Sequence, residues 1–570
     1  TGTRPNVIAI GTHAQMPRKI SAIGIMARNK PKPDVNDPKR PIAPSYCTTS
    51  TVPVSCAAPR KRDRFEKRAN ALSVYIRQSA ATFAFFALLI TAGATGSAAE
   101  PATITTHHST VVDGKSIAYR ARAGTLTLRD KSGDPTANVF SVDYTADGAS
   151  PNTRPVTFVW NGGPGSSSMW LQMGSYGPVR VPVPSNATAP WPGTQPAPNP
   201  DSLIDTTDLV FIDAIGTGYS QITGKGTPKM FYGIDEDARA FADFIRLWTT
   251  VNDRWASPKF LFGESYGTTR AADVVNRLQN DGMAVSGVVL LSSVLDFNAL
   301  DNGQGPGQDY GYLAFLPTEA AVAWYHKRVT GNPPNLAAFL DEVRAFTLGA
   351  YGDALQRGDA LDAKTRSAVV AKLHDYTGLD AAYIERANLR LDPGRFEHEL
   401  LKKDGATTGR LDGRYRGPEL DRTGDSATYD PTSDSGLTDA FVGAFSRYVR
   451  DDLGYLVERP YLGTNYPEVG ANWNNRRENS ITATNVAGDL RDAMTKNPYL
   501  RVFSANGYYD LATPFFGTEY TLAHLGLAPA LRSHLEYGFY PSGHMVYLND
   551  ESRRAFKADL VRFYRESVTH

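Results

Sequence analysis

Gly263-Glu264-Ser265-Tyr266-Gly267 is the stretch with the clearest chemical meaning in this chain. It fits Gly-x-Ser-x-Gly, follows the apolar run Lys259-Phe-Leu-Phe262 and precedes the helical pattern "TTRAADVVNRLQ". A strand that turns sharply into a helix lifts such a serine above the sheet, and the flanking positions must be small for the turn to close. A serine presented this way can act as a nucleophile if a base and an orienting acid are near it. The chain supplies both further on. Asp510 follows "LRVFSANGYY", a strand running into a turn, and His544 lies in "YPSGHMV" after another strand. The expected roles are attack by Ser265, proton removal by His544, and control of the imidazole tautomer by Asp510.

The chain order Ser, Asp, His is the order of the α/β-hydrolases, where all three residues sit at carboxyl ends of strands. An oxyanion forms during acyl transfer, and backbone N–H groups must be aimed at it. One N–H belongs to the residue after the nucleophile, Tyr266. A second comes from a loop after an earlier strand, and "VTFVWNGGPGSSS" has the form of such a strand and loop, with glycines that let the backbone approach closely. Ser166, Ser167 and Ser168 lie just beyond. They are read as structural residues capping the next helix, not as nucleophiles.

The elements around these residues divide into three styles. "SIAYRARAGTLTLRD" and "ANVFSVDYTA" alternate as antiparallel strands do. "VTFVW", "DLVFID", "KFLF" and "GVVLLSS" are short, nearly continuous apolar runs, separated by helical stretches such as "DEDARAFADFIRLWTTV". That pattern suits parallel strands buried on both faces and joined by crossover helices. After Asn298 a Gly-rich break leads into a long, mostly helical and polar segment, and strand signals return only near "YLRVFSANGYYD". The expected architecture is therefore α/β, with a mostly parallel central sheet interrupted by a mainly helical cap: core 103–300, cap 301–485, core 486–570.

The first hundred residues read differently. Residues 1–73 are rich in Pro, Lys and Arg without apolar period, and read as a non-native or disordered extension. Residues 74–99 carry a positive flank at Arg77, an apolar run from Ala80 to Ala92 and a small-residue stretch, Gly96-Ser97-Ala98-Ala99. This is the layout of a signal peptide, and the run is short for a membrane span. The expectation is a secreted or periplasmic protein without a stable membrane anchor.

"WNGGPGSSS", "GESYG", "NGYYDLATPF" and "GHMV" resemble the serine carboxypeptidases, whose versions run close to WLNGGPGCSS, GESYAG, a G-x-x-D segment and G-x-GHMVP. "NPDSLIDTTDLVFIDAIGTGYS" is also similar to that family's segment between the first two motifs. The resemblance implies an α/β-hydrolase fold with an inserted cap, and removal of C-terminal residues from peptides that end in a free carboxylate. It implies that Asn161, the Gly162 N–H and Glu264 bind that carboxylate, and that Gly163 and Tyr266 donate to the oxyanion. Two departures stand out. A second glutamate found in many members is Ser175 here, and the family cysteine after Gly-Pro-Gly is Ser166.

Composition narrows the alternatives. The chain has 570 residues, a formal net charge of +1 and 41% apolar residues. No global field favours nucleic acid, and no basic–aromatic alternation does either. Cys47 and Cys56 are the sole cysteines and precede the core, so no disulfide or thiolate metal site is expected in it. "FEHELLKK" places Lys402 where a zinc helix needs histidine, "GTGYS" lacks a phosphate-loop lysine, and His107-His108 reads as a loop pair. No cofactor or metal is expected. An esterase or acyltransferase with the same triad is the alternative activity, and a non-catalytic binding protein on the same scaffold is the third reading.

Overall fold

In a computed structural model, the chain is described over residues 103–300, 305–478, 480 and 482–569. The expected N-terminal extension and signal peptide lie outside these residues, as do both cysteines. The chain opens with three antiparallel strands, β1 (Ile104–Val112), β2 (Lys115–Arg129) and β3 (Pro135–Ala146). Six parallel strands follow: β4 (Val156–Trp160), β5 (Asp208–Ile212), β6 (Lys259–Glu264), β7 (Gly287–Leu291), β8 (Arg501–Gly507) and β9 (Leu535–Tyr540). Their order across the sheet is β1-β2-β3-β5-β4-β6-β7-β8-β9, and the short strand Gln221–Ile222 pairs with β3. The exchange of β4 and β5 and the antiparallel β3 beside a parallel run make this an α/β-hydrolase fold.

The apolar runs are continuous because both faces of the sheet are covered. Val156, Phe158, Leu261, Val288 and Leu290 pack on one side with the helices α1 (Ile234–Val251) and α2 (Tyr266–Asn280). Val159, Phe260, Phe262, Val289 and Leu291 point to the other side. Strand residues alternate between faces, so each run must be apolar at every position. In α1, Ala238, Phe241, Ile245 and Trp248 recur at helical spacing and are buried, while Asp235, Glu236 and Asp237 occupy the first turn, where the helix dipole favours negative charge.

The inserted segment carries α3 (Tyr310–Tyr325), α4 (Leu336–Phe346), α5 (Ala363–Thr377) and α6 (Leu437–Arg447). It has a hydrophobic cluster of its own, including Leu316, Val322, Leu340, Val343 and Leu373, which extends to Tyr509, Leu511 and Phe515 beside β8. Between the helices lie looser, turn-rich pieces, and one of them holds a two-stranded piece pairing Ala406–Thr408 with Arg416–Pro418. The chain returns through α7 (Ala487–Lys496) to β8, then α8 (Phe515–Ala523), β9 and α9 (Asp550–Val568).

His107 and His108 lie within β1, not in a loop. His108 stacks on Tyr119 of β2 at 5.5 Å, so the alternation begins earlier than the apolar residues alone indicate.

Candidate active site

Ser265 closes β6 and opens α2 with φ 62° and ψ −133°, a combination strained for any residue except glycine. The neighbouring glycines permit it. A Cβ on Gly263 would lie 2.1 Å from the Gly267 carbonyl oxygen, and one on Gly267 would lie 2.9 Å from Trp160 Cδ1. The turn also packs against the loop after β4. A Cβ on Gly162 would lie 2.5 Å from Tyr266 N and 2.6 Å from Gly267 N, so the two backbones touch only because that position is glycine. As the first residue of α2, Tyr266 has an N–H without an intrahelical acceptor. Its ring points away, and its hydroxyl donates to Asp237 at 3.0 Å.

Arg270, one turn further along α2, ties the two loops together. It is buried, pairs with Asp237 at 2.7 Å and donates to the Asn161 carbonyl at 2.7 Å. The Asn161 side chain accepts the Leu171 N–H at 2.9 Å. Of the three serines after Gly165, the second and third are bound elsewhere. Ser167 donates to the Gly463 carbonyl at 3.0 Å, Ser168 donates to the Ile212 carbonyl, and the Ser168 N–H reaches Asp213 at 2.9 Å. Capping of the next helix by these hydroxyls is not observed: Ser168 stands at that position without a side-chain cap bond. The serines staple the loop to β5 and to the inserted segment instead.

Asp510 lies beyond the end of β8 and His544 beyond the end of β9. The His544 Nδ1–H donates to Asp510 Oδ2 at 2.8 Å, and Asp510 Oδ1 accepts the N–H groups of Ala512 and Thr513 at 2.8 and 2.9 Å. Both carboxylate oxygens are thus satisfied, and Nδ1 is committed, which leaves Nε2 as the nitrogen able to take a proton. Burial depresses the His544 imidazole, but the Asp510 carboxylate overrides it and holds the group above the ordinary histidine range. The Thr513 hydroxyl sits 2.7 Å from Asp510 Oδ2 and 3.1 Å from His544 Nδ1, against the hinge of the pair. Ser265 and His544 line one cavity of about 560 Å³, together with Asn161, Gly162, Gly163, Glu264 and Tyr266. The inserted segment contributes Arg410, Leu411, Thr464 and Tyr466 to the same walls.

Glu264 is the second unusual group. It is 3% exposed, and burial pushes its carboxyl up to about 7. Tyr547 donates to its Oε2 at 2.9 Å, and the Asn161 side chain is also hydrogen-bonded to it. Ser175 takes no part: its hydroxyl donates to the Leu171 carbonyl at 2.5 Å. Tyr547 stands where the motif G-x-GHMVP has proline, and that departure is what puts a hydroxyl on Glu264. Thr513 and Tyr547 join the site through contacts with Asp510 and Glu264 that no sequence motif marks. Thr513 could have been found, because an aspartate side chain often accepts the backbone N–H of a residue two or three further on, which places that residue beside it. Tyr547 could not, since nothing local connects it to Glu264.

Seven of the eight residues expected at the site therefore line one cavity, and the eighth, Asp510, is hydrogen-bonded to His544 behind it. A serine on a strained turn, an imidazole with a free Nε2, and backbone amides at the meeting of two loops are suited to acyl transfer.

Residues 119–304 match the family model of the serine carboxypeptidases. The matched stretch contains Asn161, Gly162, Gly163, Glu264, Ser265 and Tyr266, and it ends before Asp510 and His544. At family level this part of the chain is serine carboxypeptidase-like, and a hydrolase is the class that fold and family match support. Among solved structures the chain is similar to a proline iminopeptidase from Mycobacterium smegmatis, with 13% identity over 78% of this chain and 98% of that one and a TM-score of 0.35. It is also similar to a carboxyl esterase from Bacillus coagulans, with 12% identity over 78% of this chain and 99% of that one and a TM-score of 0.33. No curated protein matches the chain.

Proposed function

We propose that this protein is an exported serine-type carboxypeptidase. Ser265 attacks the carbonyl of the last peptide bond, and His544 takes its proton through Nε2 and returns it to the leaving amine. Asp510 holds the imidazole tautomer and stabilises its charged form. The N–H groups of Gly163 and Tyr266 receive the oxyanion. The acyl-enzyme is then hydrolysed by water. Asn161, the Gly162 N–H and Glu264 hold the substrate's terminal carboxylate.

The observation that carries the reading is Glu264. A buried carboxyl pushed up to about 7 is protonated below neutrality and can then donate a hydrogen bond to another carboxylate. A substrate without a free carboxylate has no use for such a group. Two like charges side by side in a buried site could not both ionise cheaply, so the proton on Glu264 is what would make recognition of a peptide acid possible.

The test is hydrolysis of one blocked dipeptide against its C-terminal amide. The acid should be strongly preferred. Equal or better turnover of the amide, or of a simple ester, would favour the esterase or acyltransferase reading, which the position of Ser175 supports because the second acidic group of many family members is missing there. Export rests on residues 74–99. N-terminal sequencing of native material should find a start just after them, and peptides recovered from residues 1–60 would overturn it.

A further inference from the structure

The turn from Arg410 to Arg414 belongs to the inserted segment and is tied to it through Asp430 and Thr432, yet several of its polar contacts run to the two loops that carry Asp510 and His544. The Leu511 N–H donates to the Arg410 carbonyl at 3.1 Å, the His544 N–H to the Leu411 carbonyl at 2.7 Å, and the Gly413 N–H to the Tyr509 carbonyl at 2.8 Å. The main chain on both sides of Asp510, and that of His544 itself, is therefore fixed by residues outside the sheet.

Asp412 and Arg414 give the turn its shape. Asp412 is 1% exposed; its Oδ1 accepts from Arg414 Nε at 2.9 Å and its Oδ2 from Nη2 at 2.5 Å, while Oδ2 also accepts the Gly543 N–H at 3.2 Å. Arg414 continues to the Pro541 carbonyl and the Ser542 hydroxyl, both at 3.1 Å. The fit has no slack, since a Cβ on Gly543 would lie 2.4 Å from Asp412 Cβ and 2.5 Å from the Leu411 carbonyl oxygen. The opposite side of the turn is braced by α3 and its C-cap: His326 Nε2, just past the helix, is 2.7 Å from the Gly413 carbonyl, and Gly413 packs on Val322.

A buried ion pair is weak evidence for stability, because desolvation offsets most of its attraction. Its forked geometry does fix direction, and here the direction is toward the loop of His544. We infer that Asp412 and Arg414 are positioning residues for the reaction: they hold the turn that sets the backbone of Asp510 and His544, and so couple the inserted segment to the alignment of the imidazole. The inference rests on the proposed triad. It does not involve the carboxylate-binding residues, so it applies equally to peptide and ester substrates.

The test uses the full-length protein carrying Asp412→Asn, with labelling of Ser265 by a fluorophosphonate as the readout. A misplacement near 1 Å costs about 10²-fold in rate, so labelling and kcat should fall by about 10- to 100-fold while KM for a peptide acid changes little. The low-field proton resonance of the His544 Nδ1–H bonded to Asp510 should shift or broaden in the folded protein, which a simple loss of stability would not cause. If Asp412→Asn fails to fold, the double variant Asp412→Asn with Arg414→Met leaves no unpaired buried charge and takes its place. Folded variants that label at the unaltered rate with an unchanged resonance would overturn the inference and leave the triad standing. An unaltered protein that does not label at Ser265 would overturn both.

Discussion

Glu264→Gln separates recognition from catalysis. In the unaltered protein the carboxyl is fully buried and pushed up to about 7 from an ordinary 4.5. If only the protonated form binds a peptide carboxylate, about 99% of the protein is competent at pH 5 and about 10% at pH 8. KM for a peptide acid should then rise about tenfold between those values, equivalent to about 1.4 kcal/mol of binding. The imidazole works in the opposite sense. His544 is held above the ordinary histidine range and must be neutral to accept a proton, so kcat should rise with pH while affinity falls. Glutamine keeps a donor and cannot ionise, so Glu264→Gln should give a KM nearly independent of pH and leave the kcat limb in place. Stability offers a second measure that needs no substrate. The folded state binds this proton more tightly than the unfolded state, so the unaltered protein loses up to about 3 kcal/mol as pH rises from about 4.5 to about 7. Glu264→Gln should escape that loss, so the difference in Tm between variant and parent should shift in favour of the variant over this window and level off above it. The assay is steady-state hydrolysis of a blocked dipeptide acid and its ester from about pH 4 to 8, beside melting curves over the same range. A flat KM in the unaltered protein, matched by an unchanged profile in Glu264→Gln, would refute the role of Glu264 as carboxylate clamp.

The remaining predictions concern the turn and its neighbours. Ser265→Ala should leave about 10³–10⁴ of the rate enhancement over water, whereas alanine at Ser166, Ser167 or Ser168 singly should retain probe labelling at Ser265. Ser265→Gly should melt higher than Ser265→Ala, because glycine relieves a backbone conformation that costs about 1–3 kcal/mol; equal Tm values would show that the turn is not strained. Tyr547→Phe removes a hydrogen bond that favours the ionised form of Glu264, so its carboxyl should rise further and the increase in KM should begin at higher pH; an unmoved midpoint would count against the contact. Gly263→Ala forces a methyl against the Gly267 carbonyl and should destabilise the fold by about 1–3 kcal/mol or more, read as a lower Tm and reduced soluble yield.

Much of this molecule was legible in one dimension. The continuous apolar runs identified β4 to β7, because a strand covered on both faces must be apolar at every position. Gly-x-Ser-x-Gly located the turn, because its steric demand falls on residues two apart. The chain order of Ser265, Asp510 and His544 could be read because each lies at or just beyond the carboxyl end of a strand, and parallel strands deliver their ends to one edge. What the sequence could not contain was contact across long separations. Nothing near Tyr547 announces that its hydroxyl lies on Glu264, 283 residues earlier in the chain. Nothing in "GRLDGRYRG" says that its carbonyls hold the backbone of His544 and of the residue after Asp510. The serines after Gly165 have the local pattern of helix caps, but the partners of Ser167 and Ser168 come from the inserted segment and from β5. Local geometry fixes where a nucleophile can stand; burial and distant partners, which only the folded chain brings together, decide the protonation of Glu264 and the aim of His544.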